Sequence, residues 1–264
     1  MSLQGKVIAI TGAGQGIALA TARVLASRGA SVSLADNNRA TLEEVEKEFK
    51  QKNWPVLITA LDVRNGQQVN DWIVSTVEKF GRLDGAANVA GVIGKQLGRA
   101  LVADIEDDDW ELVMGINVTG TGSTTLTFDT LTNPANQGTM NCLRAQLRHI
   151  VDGGSIVNIA SNLGTRGETR SSAYATSKHA VIGLTRCAAR DYGSRGIRVN
   201  TVAPGPTKTP LFDGVVQGNP PPPASVLGKF AKPEEIAYSI AWLLGPESTH
   251  ATGELFRIDG GEFC

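Results

Sequence analysis

Two residues four positions apart, Tyr174 and Lys178, could act together as an acid–base pair. In a helix, residues at this spacing lie on the same face, one turn from each other. A phenol with a pKa of about 10 exchanges protons poorly at neutral pH, and a neighbouring ammonium group favours the phenolate. Lowering the pKa by about three units needs about 4 kcal/mol. The same spacing is common in surface pairs, so the pair alone does not establish catalysis.

A third polar side chain is predicted to lie near this pair. Residues 155–160 form an apolar run of strand length that ends at Ser161, and residues 172–192 are predicted to form a long helix that carries Tyr174 near its start. The Ser161 hydroxyl could hold a substrate oxygen beside the phenol.

A glycine-rich turn follows the first predicted strand, residues 6–10. It reads Thr11-Gly12-Ala13-Gly14-Gln15-Gly16, and apolar residues at helical spacing follow over residues 17–27. Such a strand–turn–helix directs backbone N–H groups and the positive end of the helix dipole at one point, which suits a pyrophosphate. The glycine spacing differs from G-x-G-x-x-G, and glycine turns also serve as simple connections.

An acidic residue, Asp36, ends the second predicted strand, residues 30–35. An acid about 20 residues past the glycines can accept hydrogen bonds from an adenosine ribose. It also repels a 2′-phosphate, and the following Asn37 and Asn38 add no positive charge, so the sequence predicts NAD(H) rather than NADP(H). A turn or cap aspartate is the alternative, because Asp-Asn-Asn also favours turns.

Composition limits the class of protein. The chain has 264 residues, 41% of them hydrophobic, and a formal net charge of -1. This favours one domain, residues 1–264, and gives no support for a nucleic-acid or membrane partner. The cysteines (Cys142, Cys187 and Cys264) show neither disulfide nor metal spacing, so we expect no metal site and a cytoplasmic location.

Strand-like and helix-like segments alternate along the chain. The predicted strands are residues 6–10, 30–35, 56–61, 84–90, 155–160, 198–202 and 255–258. This alternation predicts an α/β fold with a doubly wound, mostly parallel sheet, the Rossmann fold. Ligands bind beyond the carboxyl ends of such strands. We therefore expect one cleft ringed by the residues at these ends: Gly12, Asp36, Asp62, Asn88, Ser161 and Pro204.

Two stretches interrupt the alternation. Residues 122–139 are rich in Thr and Asn, and the pair Gly120-Thr121 recurs as Gly138-Thr139. We expect an insertion that loops out of an interrupted helix without catalytic contact, and both a family-specific insertion and translated intron sequence remain open as its origin. Residues 205–231 are predicted to form a loop over the substrate, and residues 207–229 within it, which contain four consecutive prolines, are predicted to lack regular structure.

Together these motifs resemble the short-chain dehydrogenase/reductase family, over nearly the whole chain. The matching residues are Thr11 to Ile17 for T-G-x-x-x-G-I, Asp62-Val63, Asn88-Val89-Ala90-Gly91 for N-N-A-G, Asn117, Ser161, Tyr174-x-x-x-Lys178, Pro204-Gly205 with Thr209 for P-G-x-x-x-T, and Ile258-Asp259-Gly260-Gly261 for V-D-G-G. The chain departs from the family at Ala18, at Val89 and in the longer interval between Asn117 and Ser161.

The resemblance implies a role for each residue of the site. Tyr174 would be the general acid–base, Lys178 would lower its pKa and bind the nicotinamide ribose, Ser161 would orient the substrate, and Asn117 would hold a water of the proton relay. The implied cofactor contacts are Gly12, Gln15, Gly16, Ile17, Asp36, Asp62, Val63, Asn88, Ala90, Gly91, Tyr174, Lys178, Pro204, Gly205, Thr207 and Thr209.

These roles predict an oxidoreductase that transfers a hydride between NAD(H) and a small ketone or secondary alcohol. The resemblance also implies a homo-oligomer, a dimer or tetramer. The substrate stays open, because the candidate wall residues (Val92, Ile93, Lys95, Leu163, Arg166, Leu211 and Phe212) mix apolar and cationic side chains. The alternative is a dinucleotide-binding regulator or scaffold without turnover, which would not need the complete acid–base set.

Overall fold

A computed structural model describes residues 2–118, 138–214, 223 and 225–264. In these ranges the chain forms one sheet of seven parallel strands, in the order β3-β2-β1-β4-β5-β6-β7. The strands are β1 (Val7–Thr11), β2 (Ser31–Asp36), β3 (Val56–Ala60), β4 (Gly85–Asn88), β5 (Ser155–Ile159), β6 (Arg198–Pro204) and β7 (Leu255–Ile258). The predicted doubly wound α/β fold is confirmed, and strand ends differ from the predicted ones by at most two residues.

Helices cover both faces of the sheet. The helices of four or more residues in the described ranges are α1 (Gly16–Ser27), α2 (Arg39–Gln51), α3 (Gly66–Phe80), α4 (Asp107–Asn117), α5 (Gly138–His149), α6 (Ser172–Tyr192), α7 (Pro210–Asp213) and α8 (Pro233–Leu244). Buried side chains of α1, α2 and α8 form one apolar cluster, and those of α3, α5 and α6 form a second. None of the helices in the described residues is long and apolar enough to cross a membrane.

The strand order reverses beside β1, which pairs with β2 on one side and with β4 on the other. Thr11 ends β1 and Asn88 ends β4, and these two residues are partners in the sheet register. In a doubly wound sheet the connections on the two sides of such a point leave in opposite directions, so a crevice opens beyond the carboxyl ends of the strands. The sequence motifs follow these same strand ends.

The segment 205–231 contains regular structure, which corrects the prediction of an entirely irregular loop. Its short helix α7 forms because Pro210 occupies the first helical position and Thr209 caps the helix, accepting a hydrogen bond from the Phe212 N–H (3.2 Å). The ends of the segment are joined where Thr207 pairs with Ala231. Residues 215–222 and 224 lie outside the described residues, and so does the expectation for that part of the loop.

Helix α5 begins directly against the end of α4. The Asn117 carbonyl oxygen accepts a hydrogen bond from Thr139 Oγ1 (2.7 Å), and that of Val118 accepts one from the Met140 N–H (3.4 Å). A side chain at Gly138 would collide with the Ile116 carbonyl oxygen, so glycine is required at this junction.

The predicted insertion, residues 122–139, therefore includes two helical residues at its end. Gly138 and Thr139 belong to α5, and the repeated Gly-Thr pair allows the boundaries to move to residues 120–137 without changing the family spacing. Residues 119–137 lie outside the described residues, so the predicted conformation of the inserted segment does too.

Deleting residues 120–137 is expected to leave the protein folded and to raise its thermal midpoint by a few degrees. The residues on either side already meet, and closing a connection of this length costs on the order of 2–3 kcal/mol of chain entropy. The measurement is thermal unfolding of the deletion variant beside the full chain. Failure of the variant to fold would show that the segment is a structural part of the domain.

Candidate active site

A cavity of about 500 Å³ lies at the carboxyl edge of the sheet. All the predicted cofactor-contact residues except Asn88 line it: Gly12, Gln15, Gly16, Ile17, Asp36, Asp62, Val63, Ala90, Gly91, Tyr174, Lys178, Pro204, Gly205, Thr207 and Thr209. Residues separated by almost two hundred positions along the chain therefore share one cavity. Their contacts with a cofactor stay a prediction.

The glycine turn after β1 forms one wall of the cavity. Its conformation requires glycine at two positions. Gly12 has φ +71° and Gly16 has φ +58°, and a side chain at Gly12 would lie 3.0 Å from backbone atoms of Ala90. Helix α1 then starts with no side-chain cap and no acid in its first turn, whereas Asn38 and Asn65 cap α2 and α3. The uncapped N–H groups and the helix dipole fit a pyrophosphate at this wall.

Asp36 lies at the end of β2, where both of its carboxylate oxygens are held by the backbone. Oδ2 accepts a hydrogen bond from the Gly14 N–H (2.9 Å), and Oδ1 accepts one from the Asn38 N–H (2.9 Å). These bonds fix the carboxylate against the glycine turn, and the residue still forms part of the cavity wall. Asp36 can therefore stabilise the turn and still bind an adenosine ribose, so the two roles considered for it from the sequence are compatible.

Asp62 follows β3 and is paired with Arg64, a wall residue that the sequence analysis did not single out. Arg64 Nη2 donates to Asp62 Oδ2 at 2.6 Å, and Nε donates to the same carboxylate. Burial opposes ionisation of Asp62, but the hydrogen bonds from Arg64 hold its pKa below the ordinary value. In the sequence, only the presence of an acidic and a basic residue two positions apart indicated that Asp62 and Arg64 would pair.

Tyr174 and Lys178 lie one turn apart on α6, and both line the cavity. The Lys178 ammonium is buried, donates to the Ile159 carbonyl oxygen (3.0 Å), and lies 5.6 Å from the centre of the Tyr174 ring. Burial lowers the pKa of Lys178 to about 8. The pair therefore lies inside the protein, which argues against the surface-pair reading.

The ionisation of Tyr174 differs from the expectation that Lys178 lowers its pKa. Burial raises the pKa of the Tyr174 hydroxyl, and a hydrogen bond with the Ser161 side chain acts in the opposite direction. The phenol is thus neutral at physiological pH in the protein by itself, because desolvation of the phenolate outweighs this hydrogen bond.

Ser161 does not line the cavity wall but contacts Tyr174, which does. Its Oγ accepts a hydrogen bond from the Leu163 N–H (3.2 Å) and donates to Asn162 Oδ1 (3.1 Å). The hydroxyl is buried and its position is fixed by three neighbours.

Asn117 is buried behind the wall at the end of α4. Its Oδ1 accepts from the Val92 N–H (2.9 Å), and its Nδ2 donates to the Val92 carbonyl oxygen (2.8 Å) and to Ser177 Oγ (3.0 Å). Ser177, three residues after Tyr174, was not predicted, although its hydroxyl links Asn117 to α6 by donating to the Tyr174 carbonyl oxygen (2.7 Å). The expected water-holding role of Asn117 stays a prediction.

Asn88 lies in the core and not on the cavity wall. Its Nδ2 donates to Gln146 Oε1 (3.0 Å) and Asn158 Oδ1 (2.8 Å), and its Oδ1 accepts from Gln146 Nε2 (2.8 Å). The side chain therefore joins β4 to β5 and α5. A contact between Asn88 and a cofactor would involve its backbone, since its side chain does not line the cavity and both amide N–H groups are used within the protein.

Apolar side chains line the cavity together with Tyr174. They include Val92, Ile93, Leu97, Ile116, Leu211 and Phe212, of which Ile93 and Leu97 also line a smaller pocket with Tyr174. Of the predicted wall residues, Lys95, Leu163 and Arg166 do not line the cavity. Arg166 is instead paired with Glu168 (2.9 Å), so neither predicted cation reaches the space beside the phenol.

The buried ammonium of Lys178 predicts a pH-dependent stability. Its pKa is about 8 in the folded protein against an ordinary value of 10.5, so between these values the unfolded chain binds more protons and this group stabilises the fold as the pH rises. Relative to Lys178→Met, the free energy of unfolding should rise by up to about 3 kcal/mol across this window. The measurement is denaturant unfolding of both proteins at several pH values; parallel curves would contradict the assignment.

Comparisons with known proteins agree with this geometry. A family model described as short chain dehydrogenase matches residues 6–133, and one described as Enoyl-(Acyl carrier protein) reductase matches residues 122–262. Short-chain dehydrogenase/reductase ABA4 of Pyricularia oryzae is 43% identical over 98% of this chain and 93% of its own length. The 2,5-dichloro-2,5-cyclohexadiene-1,4-diol dehydrogenase of Sphingobium indicum is 35% identical over 98% of this chain and 97% of its own.

A solved structure extends the similarity to the fold. A short chain dehydrogenase from Burkholderia cenocepacia, determined in complex with NADP, is 28% identical and covers 100% of both chains with a TM-score of 0.83. The matches to the two family models and to full-length relatives, together with the Tyr174–Lys178 cavity, show that this chain belongs to the short-chain dehydrogenase/reductase family of oxidoreductases, which bind nicotinamide cofactors.

Proposed function

We propose that the chain transfers a hydride between NAD(H) and the carbon of a neutral ketone or secondary alcohol, with Tyr174 as the general acid–base. One observation carries this proposal: Tyr174 and Lys178 line the same cavity as the glycine turn, and Ser161 lies beside the phenol. A protein that only binds a dinucleotide has no need of this polar group at the far end of the cavity.

The chain's own part in the reaction is to hold the substrate oxygen and move one proton. In the oxidative direction, Tyr174 would act as the phenolate and take the proton of the alcohol oxygen while the carbinol carbon gives up a hydride; in reduction, the neutral phenol would give that proton back. Ser161 positions the substrate oxygen beside the phenol. One N–H of the Lys178 ammonium donates to the Ile159 carbonyl oxygen, and the other two could donate to ribose hydroxyls.

Asn117 and Lys178 lie on the same side of Gly91. A Cβ atom at Gly91 would lie 3.1 Å from Asn117 Oδ1 and 3.4 Å from Lys178 Nζ, so glycine lets both polar groups approach the backbone here. Oδ1 accepts one bond, from the Val92 N–H, and retains a second lone pair. A water held by this lone pair would continue the proton path away from Tyr174.

The cavity wall fits a nicotinamide dinucleotide. Gly12, Gly16 and the uncapped start of α1 would hold the pyrophosphate, Asp36 the adenosine ribose, and Asp62 with Val63 the adenine. Thr207 and Thr209 would lie beside the carboxamide and phosphates. When bound, the nicotinamide ring takes up or gives the hydride, and in its oxidised form its positive charge favours the phenolate.

The choice of NAD(H) follows from the charge around Asp36. Its carboxylate is fixed at the end of β2, where a ribose hydroxyl can donate to it and a phosphate is repelled. Arg64 is a cation in the same wall, but its charge is paired with Asp62. The Burkholderia relative that was determined in complex with NADP is only 28% identical to this chain. The proposed preference for NAD(H) is therefore based on the residues around Asp36 in this chain.

The substrate class follows from the wall near Tyr174. Six of the apolar side chains named above line the cavity with Tyr174, and Lys95 and Arg166 do not line it. A carboxylate or phosphate on the substrate would lose its hydration there, and the Lys178 ammonium in the same wall would already be engaged by the ribose hydroxyls. A neutral alcohol or ketone with an apolar body fits this wall, as does the type of compound named in the Sphingobium relative's description, a dichlorocyclohexadienediol.

Replacing Tyr174 by Phe is expected to reduce turnover by a factor of about 10³ or more while leaving the Kd for NAD nearly unchanged. The lost hydroxyl acts on the substrate oxygen, whereas the ring and its packing remain. Steady-state rates give the first quantity and fluorescence titration with NADH gives the second. The matched control is Tyr192→Phe, on the same helix but outside the cavity. Retention of most activity in Tyr174→Phe would refute its role.

Replacing Asp36 by Ala is expected to narrow the preference for NAD(H) over NADP(H) by about tenfold or more, because repulsion of the 2′-phosphate is removed. The measurement is kcat/KM with each cofactor for both proteins. Asp71→Ala, an exposed carboxylate on α3, is the control for a change in net charge alone. Equal kcat/KM for the two cofactors in the unmodified protein would overturn the proposal.

A further inference from the structure

A chain of hydrogen bonds leads from Ser161 to a carboxylate one hundred residues later. Ser161 Oγ donates to Asn162 Oδ1 (3.1 Å), and Asn162 Nδ2 donates to Glu262 Oε2 (2.7 Å). Asn162 is buried and the Glu262 side chain is 13% exposed. Neither residue lines the cavity or belongs to a motif identified in the sequence.

We propose that Glu262 is a positioning residue that fixes the direction of the Ser161 hydroxyl through Asn162. This inference rests on the proposed function in so far as Ser161 is expected to hold the substrate oxygen. Glu262 itself touches neither the substrate space nor the phenol, so its effect on the reaction is indirect.

The chemistry of an amide side chain makes this link directional. An ionised carboxylate can only accept hydrogen bonds, so Glu262 turns the NH₂ group of Asn162 toward itself and the amide oxygen toward Ser161. The Ser161 hydrogen then points to Asn162 Oδ1, while the Leu163 N–H occupies one of its lone pairs. One lone pair of the Ser161 oxygen then remains unoccupied. Without Glu262, either orientation of the amide could satisfy Asn162, and the Ser161 hydroxyl would lose its fixed direction.

Arg166 lies beside Glu262 but does not compete for the oxygen that binds Asn162. Its Nη2 lies 4.0 Å from Glu262 Oε1 and 2.9 Å from Glu168 Oε2, and its guanidinium lies 3.8 Å from the centre of the Phe263 ring. Oε2 of Glu262 is therefore left for Asn162. The short distance to Asn162 Nδ2 is typical of a charge-assisted hydrogen bond.

The test compares two substitutions at Glu262 with one at its neighbour. Glu262→Ala removes the acceptor and is expected to lower kcat by about tenfold; Glu262→Gln retains an acceptor oxygen and should lower kcat by only about threefold. KM for NAD should change by less than about twofold in both, because the cofactor wall is not altered. Glu168→Ala is the control: it removes the other carboxylate beside Arg166 but leaves Asn162 untouched, and kcat should not change.

Crystal structures of the unmodified protein, Glu262→Ala and Glu168→Ala give a readout that does not depend on turnover. In Glu262→Ala, the Asn162 amide or the Ser161 side chain should change rotamer, while both stay in place in Glu168→Ala. If the unmodified protein turns over no alcohol or ketone, the proposed function fails and the structures alone decide this inference. If neither Asn162 nor Ser161 moves in Glu262→Ala, or if Glu168→Ala loses as much kcat, the inference is overturned.

Discussion

The hydroxyl of Thr11 joins the ends of two neighbouring parallel strands and so determines where the cavity forms. It accepts hydrogen bonds from the N–H groups of Val89 (3.1 Å) and Ala90 (3.2 Å), directly after β4. The chain after β4 thereby packs so tightly against the turn after β1 that only glycine fits at position 12. Because the strand order reverses here, this close contact becomes the base of a crevice whose walls come from both halves of the sheet.

Burial at the far end of this crevice works against both charged groups of the acid–base pair. It raises the pKa of Tyr174 and lowers that of Lys178 to about 8, so the protein alone favours the neutral phenol. Lys178 still carries its charge at neutral pH, since its pKa stays above 7. The pair is thus poised so that an additional positive charge in the cavity would shift the phenol toward the phenolate, which links proton transfer to cofactor binding.

Local patterns in the sequence were sufficient to predict the strands and most of the cavity wall. Apolar runs located the seven strands that the described residues form, and a parallel sheet necessarily brings the ends of those strands, among them Gly12, Asp36 and Pro204, to one edge. Side-chain partners that are distant in sequence were not predictable in this way. Asn88 follows the motif, yet Gln146 and Asn158 draw its amide into the core.

Charged residues show the same limit. Arg166 lies only five residues beyond Ser161 and was a reasonable wall candidate, but its guanidinium packs against Phe263 and Glu168. Glu262 gave no signal in the sequence because its contact with Asn162 depends on where the chain lies after β7. Helix α7 was not predicted because the segment around it is rich in proline. The Thr-Pro pair at its start, a capping residue followed by proline at the first helical position, is a local pattern that favours a helix start.

The most direct test of this account follows a labelled hydride. The protein is incubated with NAD⁺ and a neutral cyclic secondary alcohol that carries deuterium on its carbinol carbon, and the recovered cofactor is analysed by NMR. We expect one deuterium on the reduced nicotinamide ring for each ketone formed, because the transfer from carbon to ring is direct. Absence of ketone across a series of such alcohols, or deuterium released into water, would contradict the account.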